Sequence, residues 1–267
     1  MYYLILYFFV YGFLGWCTEV AFAACKEKRF VNRGFLNGPI CPIYGIGVGI
    51  VVQFLTPYKE NLVLLYVASV VLVTALEWVT GFILEKVFHN KWWDYSKMPL
   101  NLNGYVCLLF SLIWGVACVL IVDFIHPIIH KGLSWIPVPV GVVLIVVLGI
   151  AVLADLYVTA STILKMNRHL EKMEEIAADL HRISDELGES IYAEVAEVLE
   201  KREEWRDKIQ GVSDDVMDRI AELKQKYREV GKKGTHVSKR LLKAFPRIES
   251  KKYREAMEDL KQYLKRK

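Results

Sequence analysis

Charge is what the first 165 residues of this chain lack. They hold ten Lys+Arg and eight Asp+Glu, against totals of 34 and 30 for all 267 residues, so the remainder carries 24 and 22. A stretch so poor in charge and so rich in apolar runs reads as an integral membrane domain, and the charged remainder as a water-soluble tail. Cysteine is scarce too. Cys17, Cys25, Cys41, Cys107 and Cys118 form no C-x-x-C pair and none lies in the tail, which argues against a disulfide framework or zinc ribbon and leaves them as small buried thiols. No G-x-x-x-x-G-K-[ST] occurs, so the chain is not itself an ATPase. No basic stretch precedes "MYYLILYFFVYGFLGW" and no small-residue cleavage site follows it cleanly. It therefore reads as a transmembrane helix starting at Met1 rather than a signal peptide. The net charge of +4 comes with no recognition module, so nucleic acid is not an expected partner.

What is present is an all-α pattern of five spans, at roughly 1–25, 40–56, 61–86, 103–125 and 137–164. The second is near the lower length limit of about 17 residues. Basic residues alternate between loops. Lys26, Lys28, Arg29 and Arg33 follow span one; Lys86, Lys91 and Lys97 follow span three; Lys165 and Arg168 follow span five; the other two loops hold only Lys59 and Lys131. The positive-inside rule then predicts an outside N-terminus and a cytoplasmic tail, in a multi-pass protein of the cell membrane. Trp92, Trp93 and Tyr95 are expected as aromatic anchors at the inner interface and Trp135 at the outer one.

Residues 1–165 thus read as a transmembrane domain and 166–267 as a cytoplasmic helical tail. Leu170, Met173, Ala177, Leu180, Ser184, Leu187 and Ile191 form one helix-packing seam, and Ile209, Val212, Val216, Ile220, Leu223, Tyr227 and Val230 another, with interruptions near Gly188 and Gly211. Such coiled-coil-like seams serve packing within one chain or a homo-oligomer. Residues 166–229 carry 11 basic and 18 acidic side chains, whereas 230–267 carry 13 and 4. The basic stretch is expected against the anionic leaflet or its own acidic stem. A final helix is expected from Ser250 as N-cap, with Tyr253, Met257, Leu260 and Leu264 on one side.

Carboxylates inside spans are costly and mark function by default. Glu19, Glu77 and Asp155 precede the first basic residue at the inner end of their spans by seven, nine and ten residues. That puts them roughly 10, 13 and 15 Å below the inner surface. Glu85 lies eight residues beyond Glu77 on nearly the same face. These four are the candidate ligand or cation site, an acidic vestibule open to the cytoplasm; a divalent cation is one candidate occupant.

The stretch "RGFLNGPICPIYGIG" (33–47) starts span two with glycines and prolines. Irregular backbone is tolerated at membrane depth only where protein covers it or it lines a cavity. A broken or re-entrant segment is therefore expected, with Arg33, Gly34, Gly38 and Tyr44 as a gate or anion-binding group. Close packing through Gly45, Gly47 and Gly49 is the plainer alternative. Asp94, Asn101 and Asn103 in "WWDYSKMPLNLNGY" offer further oxygens and donors on the same side.

"GWCTE" (15–19), "RGFLNGPICPIYGIG" and "WWDYSKMPLNLNGYVCL", with "EWVTGFILE" between them, resemble the motifs of the bacterial "putative ABC-transporter type IV" family. The resemblance covers about residues 1–164 and not the tail. It implies a small polytopic permease that works with a separate ATPase or membrane subunit. The first functional reading is accordingly a transport component binding a cation, proton or cationic substrate. The alternatives are a membrane-embedded, metal-dependent enzyme acting on lipid or isoprenoid head groups, with Asp94 or Glu85 as base, and a scaffold recruiting partners through its tail. His89, His126 and His130 are read as lying in loops or at span ends.

Overall fold

The computed structural model describes the backbone of residues 1–198, 206–232, 236–250 and 252–265, and their side chains except at 187–198, 206–215, 232, 236 and 263–265. The helices, in chain order, are α1 Tyr2–Glu27, α2 Pro42–Leu55, α3 Leu62–Phe88, α4 Leu108–Leu120, α5 His126–Ser134, α6 Val138–Val198, α7 Arg206–Lys232, α8 His236–Ala244 and α9 Arg254–Lys265. Two antiparallel pairs of two-residue strands join the loops: β1 (Asn90–Lys91) with β4 (Glu249–Ser250), and β2 (Asn101–Leu102) with β3 (Val106–Cys107). Four helical stretches are long and apolar enough to cross a membrane: Tyr2–Glu27, Leu62–Phe88, Leu108–Ser134 and Val138–Glu186. The protein is a multi-pass membrane helix bundle.

The expected second span, 40–56, is an apolar helix over Pro42–Tyr58 whose last three residues, Thr56–Tyr58, form a 3₁₀ turn. α2 has 14 residues, roughly 21 Å of helix against a hydrocarbon core of roughly 30 Å. The chain is already inside the bundle when the helix begins. The Cys41 backbone N–H donates to the carbonyl of Gly12, in the middle of α1, at 2.9 Å. Residues 28–41 are non-helical, and Pro42 opens α2, where its missing N–H breaks no helical bond.

The fourth span differs. The predicted start at residue 103 falls in the β2–β3 hairpin, and the helix continues nine residues beyond the predicted end at 125. Pro127 has no N–H to give the carbonyl of Asp123. The chain absorbs this with a π-helical segment, Ile121–Ile125, in which the His126 N–H reaches the Ile121 carbonyl. His126 and His130 therefore sit on a helix that turns them toward α1.

The apolar core lies in two places. Leu6, Tyr7, Tyr11, Val48, Val52 and Leu133 pack together, as do Val51, Leu55, Leu65, Cys118 and Val122. α1 meets α2 through missing side chains. A Cβ on Gly15 would fall inside the Tyr44 ring, and one on Gly45 would sit 2.5 Å from the Phe8 carbonyl oxygen, whereas Gly47 and Gly49 face open space. Of the three glycines proposed for close packing, only Gly45 performs it. Trp92 is not a lipid-facing anchor, and Trp93 is half-buried. Trp92 is buried with its ring 5.1 Å from Phe35 and 5.0 Å from Phe245, and Trp93 Nε1 donates to the Tyr105 carbonyl. Tyr95 stacks on Phe110. Trp135 is exposed, as an anchor should be.

The chain divides into two compact units, Met1–Ile163 with His236–Lys251, and Leu164–Thr235 with Lys252–Lys267. In the second unit Leu170 and Met173 are fully buried, and Val216, Ile220, Leu223, Tyr227 and Val230 are half-buried among exposed neighbours. Those positions are more buried than their neighbours, as the spacing predicts, but Ser184 on the same seam is exposed and Ile183 beside it is buried instead. Leu187, Ile191, Ile209, Val212 and Leu264 lie outside the described side chains. Both helices run straight through Gly188 and Gly211, where interruptions were expected. Ser250 is a strand residue, and the last helix begins four residues later. There Tyr227 Oη donates to Asp259 Oδ2 and Tyr253 Oη to Glu171 Oε1 at 2.8 Å.

Candidate functional site

The 28–41 segment brings backbone donors and acceptors into the bundle, and each needs a partner there. Asn32 supplies the first set. Its Oδ1 accepts from Trp16 Nε1 at 2.8 Å and from the Gly34 N–H at 3.1 Å, while its Nδ2 donates to the Asn37 carbonyl at 2.8 Å. Asp155, from α6, supplies the second. Its Oδ1 accepts from the Asn37 N–H at 3.1 Å, Asn37 Nδ2 at 2.7 Å and Thr159 Oγ1 at 3.2 Å, and its Oδ2 accepts from the Gly38 N–H at 2.6 Å. A Cβ on Gly38 would crowd that oxygen at 3.3 Å, so the glycine permits the bond.

The carbonyls on the same segment are met from 200 residues away. Arg240, on α8, donates from Nε to Asn37 Oδ1 at 3.0 Å, from Nη1 to the Gly34 carbonyl at 2.8 Å and the Asn32 carbonyl at 3.5 Å, and from Nη2 to the Phe35 carbonyl at 3.0 Å. Burial pushes the guanidinium below its usual range, and the Asp155 charge pulls the other way. A planar fork with five N–H donors suits several carbonyls at once. Its carrier is held in place by Leu241, Leu242 and Ala244, all buried, and by the β1–β4 pair.

A second group lies between α1, α2 and α3. Tyr44 Oη donates to Glu19 Oε1 at 2.8 Å, and Arg33 Nε lies 3.4 Å from Glu19 Oε2 with its guanidinium over the Phe22 ring. Tyr44 is within electrostatic reach of Glu77 as well as Glu19. Tyr95, across in the 89–107 loop, is pushed above its ordinary value by burial first, then by Glu77, Cys107 and Glu19, with Arg33 opposing. Glu77 Oε2 is buried and accepts no hydrogen bond among the described residues.

The remaining candidates are apart from both groups. Glu85 Oε2 accepts from Tyr105 Oη at 2.8 Å; burial and then this carboxylate push the phenol up to about 12. Asp94 is engaged within its own loop, accepting from the Ser96 N–H at 3.1 Å and Ser96 Oγ at 2.6 Å, with Lys91 at 3.7 Å. Burial pushes its carboxyl up, but the Ser96 bonds and the Lys91 charge outweigh that and hold it below its usual range. Asn101 donates to the Ser96 and Met98 carbonyls and accepts from the Gly104 N–H. Asn103 has φ 56° and gives its carbonyl to Lys91 Nζ. These three residues shape the loop.

Of the predicted site residues, then, Glu19, Glu77, Arg33 and Tyr44 come together, while Gly34, Gly38 and Asp155 form a separate clamp. Arg33 is matched by Glu19, so it offers little positive charge to an anion. Among the described residues no group of three or more His, Cys, Asp or Glu has a metal-holding arrangement. A cavity of about 740 Å³ lined by Val71, Trp78, Leu102, Val106, Leu108 and Ser111, among others, contains no carboxylate in its lining.

Sequence reasoning missed Asn32, Asn37, Thr159 and Arg240. The two asparagines were legible in principle, since amides beside "RGFLNG" can satisfy an irregular backbone; Arg240 had no signal separating it from Lys239, Lys243 or Arg247.

Residues 6–160 match the family described as "Putative ABC-transporter type IV". No curated protein and no solved structure matches the chain.

Proposed function

The chain belongs to the "Putative ABC-transporter type IV" family, and from that premise we propose that it is a permease-like component of a membrane transport system whose Glu19–Glu77 group binds a proton or a small cation. One observation carries this reading: Glu77, within the apolar helix α3, has a buried carboxylate oxygen that accepts no hydrogen bond among the described residues. Arg33 pairs with Glu19 at 3.4 Å. An uncompensated buried carboxylate is unstable unless it takes up a proton or a cation. Repeated uptake and release of that ligand is what a transport step requires.

The same reading has the 28–41 and 89–107 loops and the tail on the cytoplasmic side, by their lysines and arginines. It also has ATP hydrolysis supplied by another subunit, since the sequence contains no phosphate-binding loop. A two-carboxylate group without a third donor suits a proton, a monovalent ion or a cationic substrate better than a tightly held divalent metal. The enzyme and scaffold alternatives have no comparable observation in their favour.

Thermal unfolding in detergent tests the proposal without needing the ATPase. A cation at about 100 times its dissociation constant stabilises the native state by roughly 2.7 kcal/mol. One cation, or protonation across a pH series, is expected to stabilise the wild type and not Glu77→Gln. Identical profiles for the two proteins across all cations and pH values refute it.

A further inference from the structure

The row of positions four apart along α1 reads Tyr3, Tyr7, Tyr11, Gly15, Glu19. Successive members lie one turn, about 6 Å, apart along the helix. The first three meet the two histidines of α5. Tyr7 Oη is 2.5 Å from His130 Nδ1 and Tyr11 Oη is 3.0 Å from His126 Nδ1. The rings follow one another: Tyr3 to His130 at 5.2 Å, Tyr7 to His126 at 4.8 Å and His126 to His130 at 6.0 Å. At the fourth position the row has no side chain, and Tyr44 of α2 occupies the place and donates to Glu19, the fifth. The outer members are accessible, with Tyr3 36% exposed and His130 also exposed, while Tyr7 and Tyr11 are buried at 5% and 3%.

We propose that Tyr3, Tyr7, Tyr11, His126 and His130 form a proton relay from the N-terminal end of α1 inward, and that Tyr44 passes the proton to Glu19 and Glu77. This rests on the reading of those carboxylates as the ligand site, and it names the proton as a ligand they take.

Phenols and imidazoles are the side chains suited to the task. An imidazole can accept a proton at one ring nitrogen and release one from the other, and its ordinary pKa near 6.5 makes both directions accessible. Each step moves one proton between a tyrosine hydroxyl and a ring nitrogen, and the last moves one from the Tyr44 hydroxyl to a Glu19 carboxylate oxygen, which becomes neutral. The acceptor gains one positive charge, the donor recovers its proton from the group before it, and no heavy-atom bond changes. The groups facing the imidazoles are the three tyrosines of α1. Around Tyr7 and Tyr11, α2 contributes Val48 and Val52 and α6 contributes Ile145, all apolar, and Tyr2 packs beside Tyr3 at 5.1 Å. Asp123 and Lys131 are the charged residues beside them on their own helical stretch. The imidazoles therefore exchange protons with the tyrosines and with the surface at His130 rather than with a buried counter-ion. The step from Tyr11 to Tyr44 passes the turn at Gly12–Gly15, where Ile40, Cys41 and the Tyr44 ring pack against α1, so a proton crosses there only when that contact opens.

The π-helical segment supports this arrangement. Without the extra residue at 121–125, the i, i+4 histidine pair would rotate by about 100° away from α1.

The test is proton influx into proteoliposomes under an imposed potassium–valinomycin voltage, read with a trapped pH-sensitive dye. Wild type is expected to conduct, with a rate that changes as the external pH crosses the histidine range. The double variant His126→Gln/His130→Gln is expected to lose about 100-fold of the rate and that pH dependence. The double variant Tyr7→Phe/Tyr11→Phe keeps every ring and removes only two hydroxyls, so it decides the matter should the histidine pair fail to fold. A comparable loss is expected there. Wild-type conduction in both folded double variants overturns the relay; if Glu77→Gln is then inactive, the carboxylate reading stands alone. Inactive double variants beside an active Glu77→Gln uphold the relay and sink that reading. A wild type that carries no protons overturns the relay and leaves the carboxylates to another ion.

Discussion

Asp155 offers two oxygens to four donors, three of them on Asn37 and Gly38. Its charge is consequently spent on holding the re-entrant segment rather than left for a transported ion, although the depth arithmetic grouped it with Glu19 and Glu77. Hydrogen bonds to a charged group contribute about 1.5–3 kcal/mol each, and donors left buried without acceptors cost a similar amount. Asp155→Ala is therefore expected to destabilise the protein by about 2 kcal/mol or more and to loosen the segment. Cys41, at its inner end and only 5% exposed, reports this directly: maleimide labelling of Cys41 should rise in Asp155→Ala and less so in Asp155→Asn, which keeps one acceptor. Unchanged labelling would mean that Asn32 and Arg240 suffice. Depth along a span was legible at this scale; which neighbour consumes a carboxylate was not, because that depends on a loop whose path no periodicity encodes.

Between elements, α2 illustrates how far pattern carries. Its glycines recur at 45, 47 and 49, and nothing in the spacing separates them. Geometry does. Gly45 faces the Phe8 backbone carbonyl, which cannot move without moving α1, whereas Gly47 faces open space. Gly45→Ala is expected to lower stability by about 1–3 kcal/mol through overpacking. Gly47→Ala should leave it unchanged or raise it by about 0.5–1 kcal/mol, by removing a helical glycine. Thermal unfolding of the two variants side by side checks both. The irregular start of α2 was readable because glycine and proline are unambiguous about helix. The fourth long helix was not fully readable. A span drawn to residue 125 stops just before Pro127, and a proline's effect on a helix depends on whether a π turn can absorb it. The tyrosine–histidine pairs stayed hidden for the same reason, since histidines assigned to a loop invite no partner.

For the molecule as a whole, the halves differ as composition says, yet the basic stretch at 236–251 groups with the membrane-spanning residues rather than with the rest of the tail. The basic stretch holding "KRLLKAF" was expected against the anionic leaflet or the acidic stem of the tail, because charge and amphipathicity name a surface only by its sign and apolar area. Neither expectation describes α8, whose partner is the 32–37 segment. Arg240 makes that contact by reaching three backbone carbonyls and Asn37 Oδ1. Arg240→Ala is expected to speed amide hydrogen exchange both in 34–38 and in α8, at a cost of about 2 kcal/mol. Arg240→Lys should not restore protection, since one ammonium cannot replace the fork. Protection lost in α8 alone would show that the 34–38 carbonyls are held without the guanidinium.

That pairing also sets a timetable. Arg240 follows Asn37 by 203 residues, and ribosomes add about 5–20 residues per second. For roughly 10–40 seconds after Asn37 is made, α1, α2 and α3 can already be in the bilayer while the carbonyls of residues 32–35 have no guanidinium to meet them. During biosynthesis the newborn protein must pass through a form in which that segment is only half held, and it is the late-arriving helix, not the insertion of the last membrane helix, that marks its maturity.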